Sequence, residues 1–257
     1  MKYSGGCEEG RDQRSRAGSL EFYYTKKHLA PFIRSDSHVI EIGCGTGYYG
    51  MYFAPFCARY RGIDLTPDNI AVFQKKITEA GFTHVTAEVG DAANLEYVTD
   101  GCCDAALCLG PMYHLSREER TIAFGECARI TKNGGIAAFS YICKLGVYAG
   151  ACSYDRWRDV YPNAKANEYC LNRGTDDQNP DVFYFTTPEE MEKMAEAHGF
   201  EVVKNCGLDF MVMMGAIEQM TDEQFQCYLE LADRMAESRF CTGLSNHALL
   251  ICRKKEE

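Results

Sequence analysis

Seven short apolar runs, separated by stretches with helical periodicity, restrict this chain to a sheet with helices packed against it. The runs are HVIEI (38–42), RYRGI (59–63), HVTAEV (84–89), DAALCL (104–109), IAAFSYI (136–142), FEVVKN (200–205) and HALLIC (247–252). Several are apolar throughout, as parallel strands covered on both faces are. Strand alternating with helix predicts an α/β fold. The intervening helices carry their own end signals. In TPDNIAVFQKKITEAG, Thr66 can cap, Pro67 suits the first helical position, Gly81 can close the helix, and Ile70, Phe73 and Ile77 share a face. SREERTIAFGECARITKNGG opens with Ser116 and Glu119 at capping-box spacing and is expected to stop at Asn133-Gly134. TPEEMEKMAEAHG repeats the device with Thr187, Pro188 and Glu190, ending at Gly199.

The amino-terminal SLEFYYTKKHLAPFI reads as an amphipathic helix with Phe22, Leu29 and Ile33 inward, ended or kinked near Pro31. Two stretches break the alternation. Residues 143–185 are rich in aromatics, Gly, Asn and Asp, and residues 207–243 hold a methionine-rich segment with Met211, Met213 and Met214, then a capped helix from Thr221. They follow the fifth and sixth predicted strands. Insertions beyond the carboxyl ends of such strands can build a lid over a ligand. The chain reads as one domain over 1–257, with a helical segment (1–37), a cofactor-binding core (38–142) and the two lid insertions.

A formal net charge of -10 and a pI near 5.2 argue against a partner held mainly by phosphate contacts, so no nucleic acid is expected. The first residues contain no apolar core of a secretory signal, and no apolar run approaches a membrane span, which predicts a cytoplasmic protein without a membrane partner. The 14 cysteines, at 7, 44, 57, 102, 103, 108, 127, 143, 152, 170, 206, 227, 241 and 252, include no C-x-x-C pair. They are read as small buried hydrophobes, with no metal site expected.

The most specific feature is VIEIGCGTGYYG (39–50). Its pattern, Glu41-x-Gly43-Cys44-Gly45-x-Gly47, brings the third glycine one position early for the dinucleotide fingerprint. Asp64 ends the second strand, where a carboxylate can accept both hydroxyls of a ribose, and Asp91 follows the third, placed for the exocyclic amine of adenine. These acids account for an adenosine without phosphate. Glu41 inside the turn would be a poor neighbour for pyrophosphate and a tolerable one for a cation.

The order E-x-G-x-G-x-G, Asp after strand two and G-D-A after strand three resembles class I S-adenosylmethionine-dependent methyltransferases over roughly residues 20–142. The pieces LGPMYHL, ARITKNGG, FTTPEEM and SNHALLICRK look like those of bacterial small-molecule members. The resemblance implies a Rossmann-like, seven-stranded, mostly parallel sheet with its last strand inserted antiparallel, and S-adenosyl-L-methionine as cofactor. It implies that Gly43, Cys44, Gly45 and Gly47 pass the methionyl part, with Glu41 beside it. Asp64 would then hold the ribose, Leu65 would lie against the adenine, Asp91 and Ala92 would bind its amine edge, and Leu109 and Gly110 would line the methyl side.

Methyl transfer is an in-line displacement that rests on alignment and exclusion of water, with a base needed only where the nucleophile must lose a proton. Gly110-Pro111-Met112-Tyr113-His114 replaces the amide-Pro-Pro-aromatic motif of enzymes that methylate planar amino groups, which lowers the nucleobase reading. His114 is the first candidate base and His247 the second, with Tyr113 positioning substrate. Tyr23 or Tyr24 could touch the cofactor. Tyr148, Trp157 and the neighbouring tyrosines 154 and 161 could wall an acceptor pocket. The chain is thus read as a methyltransferase acting on an O, N or S atom of a small molecule, as monomer or homodimer. The rival readings are an RNA, protein or metalloid methyltransferase, a nicotinamide-dependent oxidoreductase, and a cofactor-binding regulator without catalysis.

Overall fold

The computed structural model describes residues 15–180, 182–210 and 213–256. Its strands are β1 (His38–Ile42), β2 (Arg59–Asp64), β3 (Val85–Val89), β4 (Cys103–Cys108), β5 (Thr131–Cys143), β6 (Phe185–Thr186), β7 (Phe200–Gly207) and β8 (His247–Lys254). They form one sheet in the order β3-β2-β1-β4-β5-β8-β7, with β6 pairing to β5. β1 to β5 are parallel, and β8 enters antiparallel between β5 and β7. All seven predicted strands are present, the sixth of them being β7. The additional strand, β6, has a local cause. β4 stops at Cys108 opposite Phe139, while β5 runs on to Cys143, so Ile142 pairs with His247 on one side and takes Phe185 on the side that β4 has vacated.

The helices are α1 (Arg16–Leu29), α2 (Tyr48–Phe53), α3 (Pro67–Ala80), α4 (Arg117–Ile130), α5 (Lys144–Ser153), α6 (Ala164–Ala166), α7 (Pro188–Ala197), α8 (Met214–Gln219), α9 (Asp222–Glu237) and α10 (Arg239–Thr242). The capping boxes at Ser116/Glu119 and Thr187/Glu190 form as expected, and Thr221/Gln224 makes a third. Two helix ends differ from expectation. The Thr66 side chain makes no cap bond; its N–H is instead taken by the Asp64 carboxylate at 2.9 Å. α4 ends at Ile130 rather than Asn133-Gly134, because residues from Thr131 onward join β5 through a register shift opposite Cys103.

Period-two alternation along the strands splits the interior into two cores. Val39, Tyr60, Leu107, Ala138, Leu249 and Ile251 face a core closed by α1, α2, α3 and α9. Ile40, Ala106, Phe139, Tyr141, Leu250 and Cys252 face the other, closed by α4 and α7. Phe22, Leu29 and Ile33 are buried as predicted. α9, in the second insertion, buries Tyr228, Ala232 and Ala236 against the sheet, so it is a layer helix. Met213 packs against this core, whereas Met211 and the side chain of Met214 lie outside the described residues, as does Cys7.

Phe73 of α3 is the pin between the first βα unit and the second. A Cβ at Gly47 would lie 2.0 Å from its ring, and one at Gly50 2.3 Å. Gly47→Ala, which adds this clash to a φ of +81°, should lower stability by about 2–5 kcal/mol in urea unfolding. Gly81→Ala, with φ +69° but open space around it, should cost only about 1 kcal/mol. Equal losses would contradict the packing role given to Phe73.

Candidate active site

The carboxyl ends of β1, β2, β4 and β5 and the amino end of β8 converge at one edge of the sheet. There the glycine turn is closed by its own backbone. Gly43 and Cys44 donate to the Ile63 carbonyl at 2.7 and 3.0 Å, and Gly47 donates to Cys44 at 2.9 Å. Gly45 donates to Asp64 Oδ2 at 2.8 Å. These four N–H groups are committed within the protein and are not offered to a phosphate. Asp64 Oδ1 also takes Thr66 N–H and Asn69 Nδ2 at 2.9 and 3.2 Å. A carboxylate has about four acceptor positions. Three are filled, which leaves Oδ2 one for an external donor, fewer than the two ribose hydroxyls call for unless Asn69 lets go.

The three glycines serve different ends. A Cβ on Gly43 would strike the Pro111 ring at 2.4 Å, and one on Gly110 would press the Gly43 carbonyl at 3.3 Å, so the turns after β1 and β4 meet backbone to backbone. Gly47 accommodates Phe73. Gly45 alone of the three, with φ +52°, would point a Cβ into open space. Leu65 beside it is 69% exposed, a large apolar surface at the end of β2. Asp91 is exposed and its Oδ1 accepts from Ala93 N–H at 2.9 Å; Ala92 packs partly into the core. Leu109 is buried and Gly110 half-buried.

Glu41 is buried under the turn and accepts from Tyr60 OH at 2.7 Å. Burial pushes its carboxyl up to about 8, against the pull of that hydrogen bond. The adjacent Cys44 thiol is also driven up, chiefly by burial.

After β4, Tyr113 is buried and its carbonyl accepts from Tyr184 N–H at 2.9 Å. His114 Nδ1 lies 3.0 Å from the Val182 carbonyl, and its ring lies 5.1 Å from Phe183. His114 therefore ties the first insertion to the post-β4 turn. Tyr148 and Trp157 sit within the insertion's own core, where Trp157 stacks on Tyr161 at 5.4 Å and Tyr148 OH donates to Asn167 at 2.6 Å. That core is continuous with Tyr113 and Ile142.

His247 opens β8 with its ring 5.8 Å from that of Tyr113. Asp209, just past β7, grips it twice: Oδ1 accepts the His247 backbone N–H at 2.6 Å, and Oδ2 lies 2.9 Å from Nδ1. The Asn246 amide adds a bond to the same carboxylate at 3.4 Å, and Glu21 of α1 approaches Nδ1 at 3.7 Å. Both acids are buried. Neither was singled out in the sequence, although an acid at 209 in the apolar GLDFMVMM was a signal. Tyr23 is exposed, and Tyr24 turns away from this edge to donate to Asp233 at 2.9 Å.

All 13 described cysteines are free thiols, nine of them buried. Among the described residues no three His, Cys, Asp or Glu side chains are placed to hold a metal, and no helix is long and apolar enough to cross a membrane. Cys102 precedes β4 and Cys103 opens it, at the end of the strands opposite His247.

Residues 39–135 match the family described as methyltransferase domain. The chain is 28% identical over 102 residues to the uncharacterized methyltransferase YcgJ of Bacillus subtilis, covering 40% of this chain and 39% of that one. It is 28% identical over 176 residues to a ubiquinone biosynthesis O-methyltransferase of Cupriavidus pinatubonensis, covering 67% of this chain and 63% of the relative. The match thus spans less than two thirds of either relative's length. The crystal structure of an S-adenosylmethionine-dependent methyltransferase from Mesorhizobium loti shares the fold with a TM-score of 0.59 at 17% identity, over 91% of this chain and 98% of that one.

The raised Glu41 carboxyl has a consequence for stability. Below about 4.5 both folded and unfolded chains hold the proton; between there and about 8 only the folded chain does. Stability from this group is therefore complete at low pH and lost as pH rises through about 8, by on the order of a few kcal/mol. Urea unfolding at pH 5.5 and 8.5 should show a smaller alkaline loss in Glu41→Gln than in the wild type; an identical loss would contradict the assignment.

Proposed function

The chain belongs to the class I S-adenosylmethionine-dependent methyltransferases, and from that premise we propose that it methylates a hydroxyl oxygen of a small-molecule acceptor, with His247 as general base. The observation that carries this reading is the Asp209–His247 pair at the sheet edge beside Tyr113. Asp209 Oδ2, 2.9 Å from Nδ1, favours the tautomer protonated there, with the ring lone pair on Nε2. A hydroxyl must shed its proton as it is methylated, and a positioned imidazole accelerates that step by about 10²–10⁴-fold.

The residues around the glycine turn fit an adenosyl sulfonium cofactor. Asp64 Oδ2 can accept from the ribose, exposed Leu65 can cover the adenine, Asp91 can receive its amine, and Gly45 opens the turn toward the methionyl part. A nearby cation would favour the ionised form of Glu41, whose carboxyl burial pushes up to about 8. When bound, S-adenosylmethionine supplies an electrophilic methyl whose transfer leaves a neutral thioether. Leu109, Gly110 and Tyr113 border that methyl side, and His247 takes the acceptor's proton. Alignment of acceptor and donor accounts for most of the acceleration. The first insertion, anchored through His114 and Tyr184, serves as the lid that excludes water, with Tyr148 and Trp157 stiffening it. The curated relative from Cupriavidus pinatubonensis, an O-methyltransferase, supports the choice of oxygen.

Transfer of labelled methyl to a panel of phenols, alcohols, amines and thiols tests the reading. The expected products are O-methyl ethers, with kcat reduced about 10²–10³-fold in His247→Gln and in Asp209→Asn while S-adenosylhomocysteine binding stays within a few fold. Methylation confined to amines or thiols, or undiminished turnover in both variants, would contradict it.

A further inference from the structure

α1 is amphipathic in an unusual way. At about 100° per residue, Glu21, Thr25 and His28 fall within about 60° of one another, midway between Phe22 and Leu29 on one flank and Leu20 and Tyr24 on the other. All seven are buried. The centre of the sheet-facing side of α1 is therefore polar, where packing alone would place Leu or Ala.

Two polar side chains face the same layer from other elements. Ser140 of β5 lies opposite Leu249 and on the same side of the sheet, two residues before Ile142, the partner of His247. Tyr228 of α9 belongs to the core that holds Phe22 and Tyr49, within electrostatic reach of Asp209. Ser140 Oγ and Tyr228 OH are buried without a hydrogen-bond partner among the described residues, at 2% and 4% residue exposure, and Thr25 Oγ1, at 1%, has only the Tyr49 hydroxyl within reach. A buried hydroxyl left unsatisfied costs about 1–3 kcal/mol. Two such hydroxyls and Thr25 in one layer, on the side of the sheet that His247 faces, form a set awaiting a partner. The carboxylates facing the same layer, Glu21 and Asp209, accept hydrogen bonds and repel anions. The nearest ammonium at its far end, Lys204, is engaged by Glu237 and His28.

We propose that Thr25, Ser140 and Tyr228 are acceptor-binding residues, and that with Glu21 and Asp209 they select an uncharged, hydroxyl-rich acceptor over one bearing a carboxylate or phosphate. The assignment rests on the transferase reading above and adds to it the polarity and charge of the substrate. The hydroxyls donate to or accept from the acceptor's own hydroxyls, and the two acids receive its donors. The sulfonium side of the cofactor is left to the glycine turn.

Catechol and 3,4-dihydroxybenzoate, which differ by one carboxylate, are the probes. Each is titrated calorimetrically into the wild type saturated with S-adenosylhomocysteine, then into Tyr228→Phe, Ser140→Ala and Thr25→Val. The account expects catechol to bind at least about tenfold more tightly than the carboxylate. It expects each substitution to weaken catechol several-fold with unchanged affinity for S-adenosylhomocysteine, and expects Tyr228→Phe and Ser140→Ala to melt at or above the wild-type temperature, since an unsatisfied group has been removed. Catechol binding unchanged in all three variants, tighter binding of the carboxylate, or no diol binding to the S-adenosylhomocysteine complex would overturn the proposal. Failure of the wild type to bind S-adenosylhomocysteine at all would instead strike the transferase reading, and this assignment with it.

Discussion

One carboxylate organises the sheet edge around the glycine turn of this protein. Asp64 joins the glycine turn to the end of β2 and the start of α3 by taking hydrogen bonds from Gly45, Thr66 and Asn69. Removing it would leave all three donors without this acceptor, the buried Asn69 amide among them. The same bonds decide what the turn can bind. By occupying Gly45 N–H, Asp64 withholds that donor from an anion, and it keeps one acceptor position of its own unfilled by Gly45, Thr66 and Asn69. The answer to the glycines thus lies less in the glycines than in the acid that faces them.

From that edge the architecture follows two packing decisions. Close approach of Gly43 to Gly110 and to the Pro111 ring holds the turns after β1 and β4 together, with Tyr113 two residues further on. The overhang of β5 past β4 recruits β6, and β6 with His114 and Tyr184 pulls the first insertion against the same edge. β8, running antiparallel, delivers its first residue rather than its last to this place, which is why His247 can meet Asp209 from the end of β7. A parallel final strand would have put the imidazole at the opposite end.

Much of this was written in local sequence. Each apolar run became a strand, those apolar throughout because both their faces are covered, and the capping boxes at 116, 187 and 221 fixed their helices. β6 was illegible because two residues carry no periodicity; only the length mismatch of β4 and β5 creates it. The glycines at 43 and 47 could not be told from ligand-facing ones, since their partners, Pro111 and Phe73, are distant in sequence. His114 outranked His247 on proximity to the methyl-side motif, and only tertiary structure shows the first tethering a carbonyl and the second gripped by an acid. The polar centre of α1 was readable from helical spacing, because 21, 25 and 28 share the face that Phe22 and Leu29 flank. It was hidden behind the stronger apolar signal of its neighbours.

The central claim is that the edge around Asp64 is built for an adenosyl sulfonium and not for a dinucleotide. Calorimetric titration of the wild type and Asp64→Ala with S-adenosylmethionine, S-adenosylhomocysteine and NAD tests it most directly. The account predicts micromolar binding of both adenosyl ligands, weakened in Asp64→Ala, with no heat from NAD. Binding of NAD in place of the adenosyl ligands would contradict it.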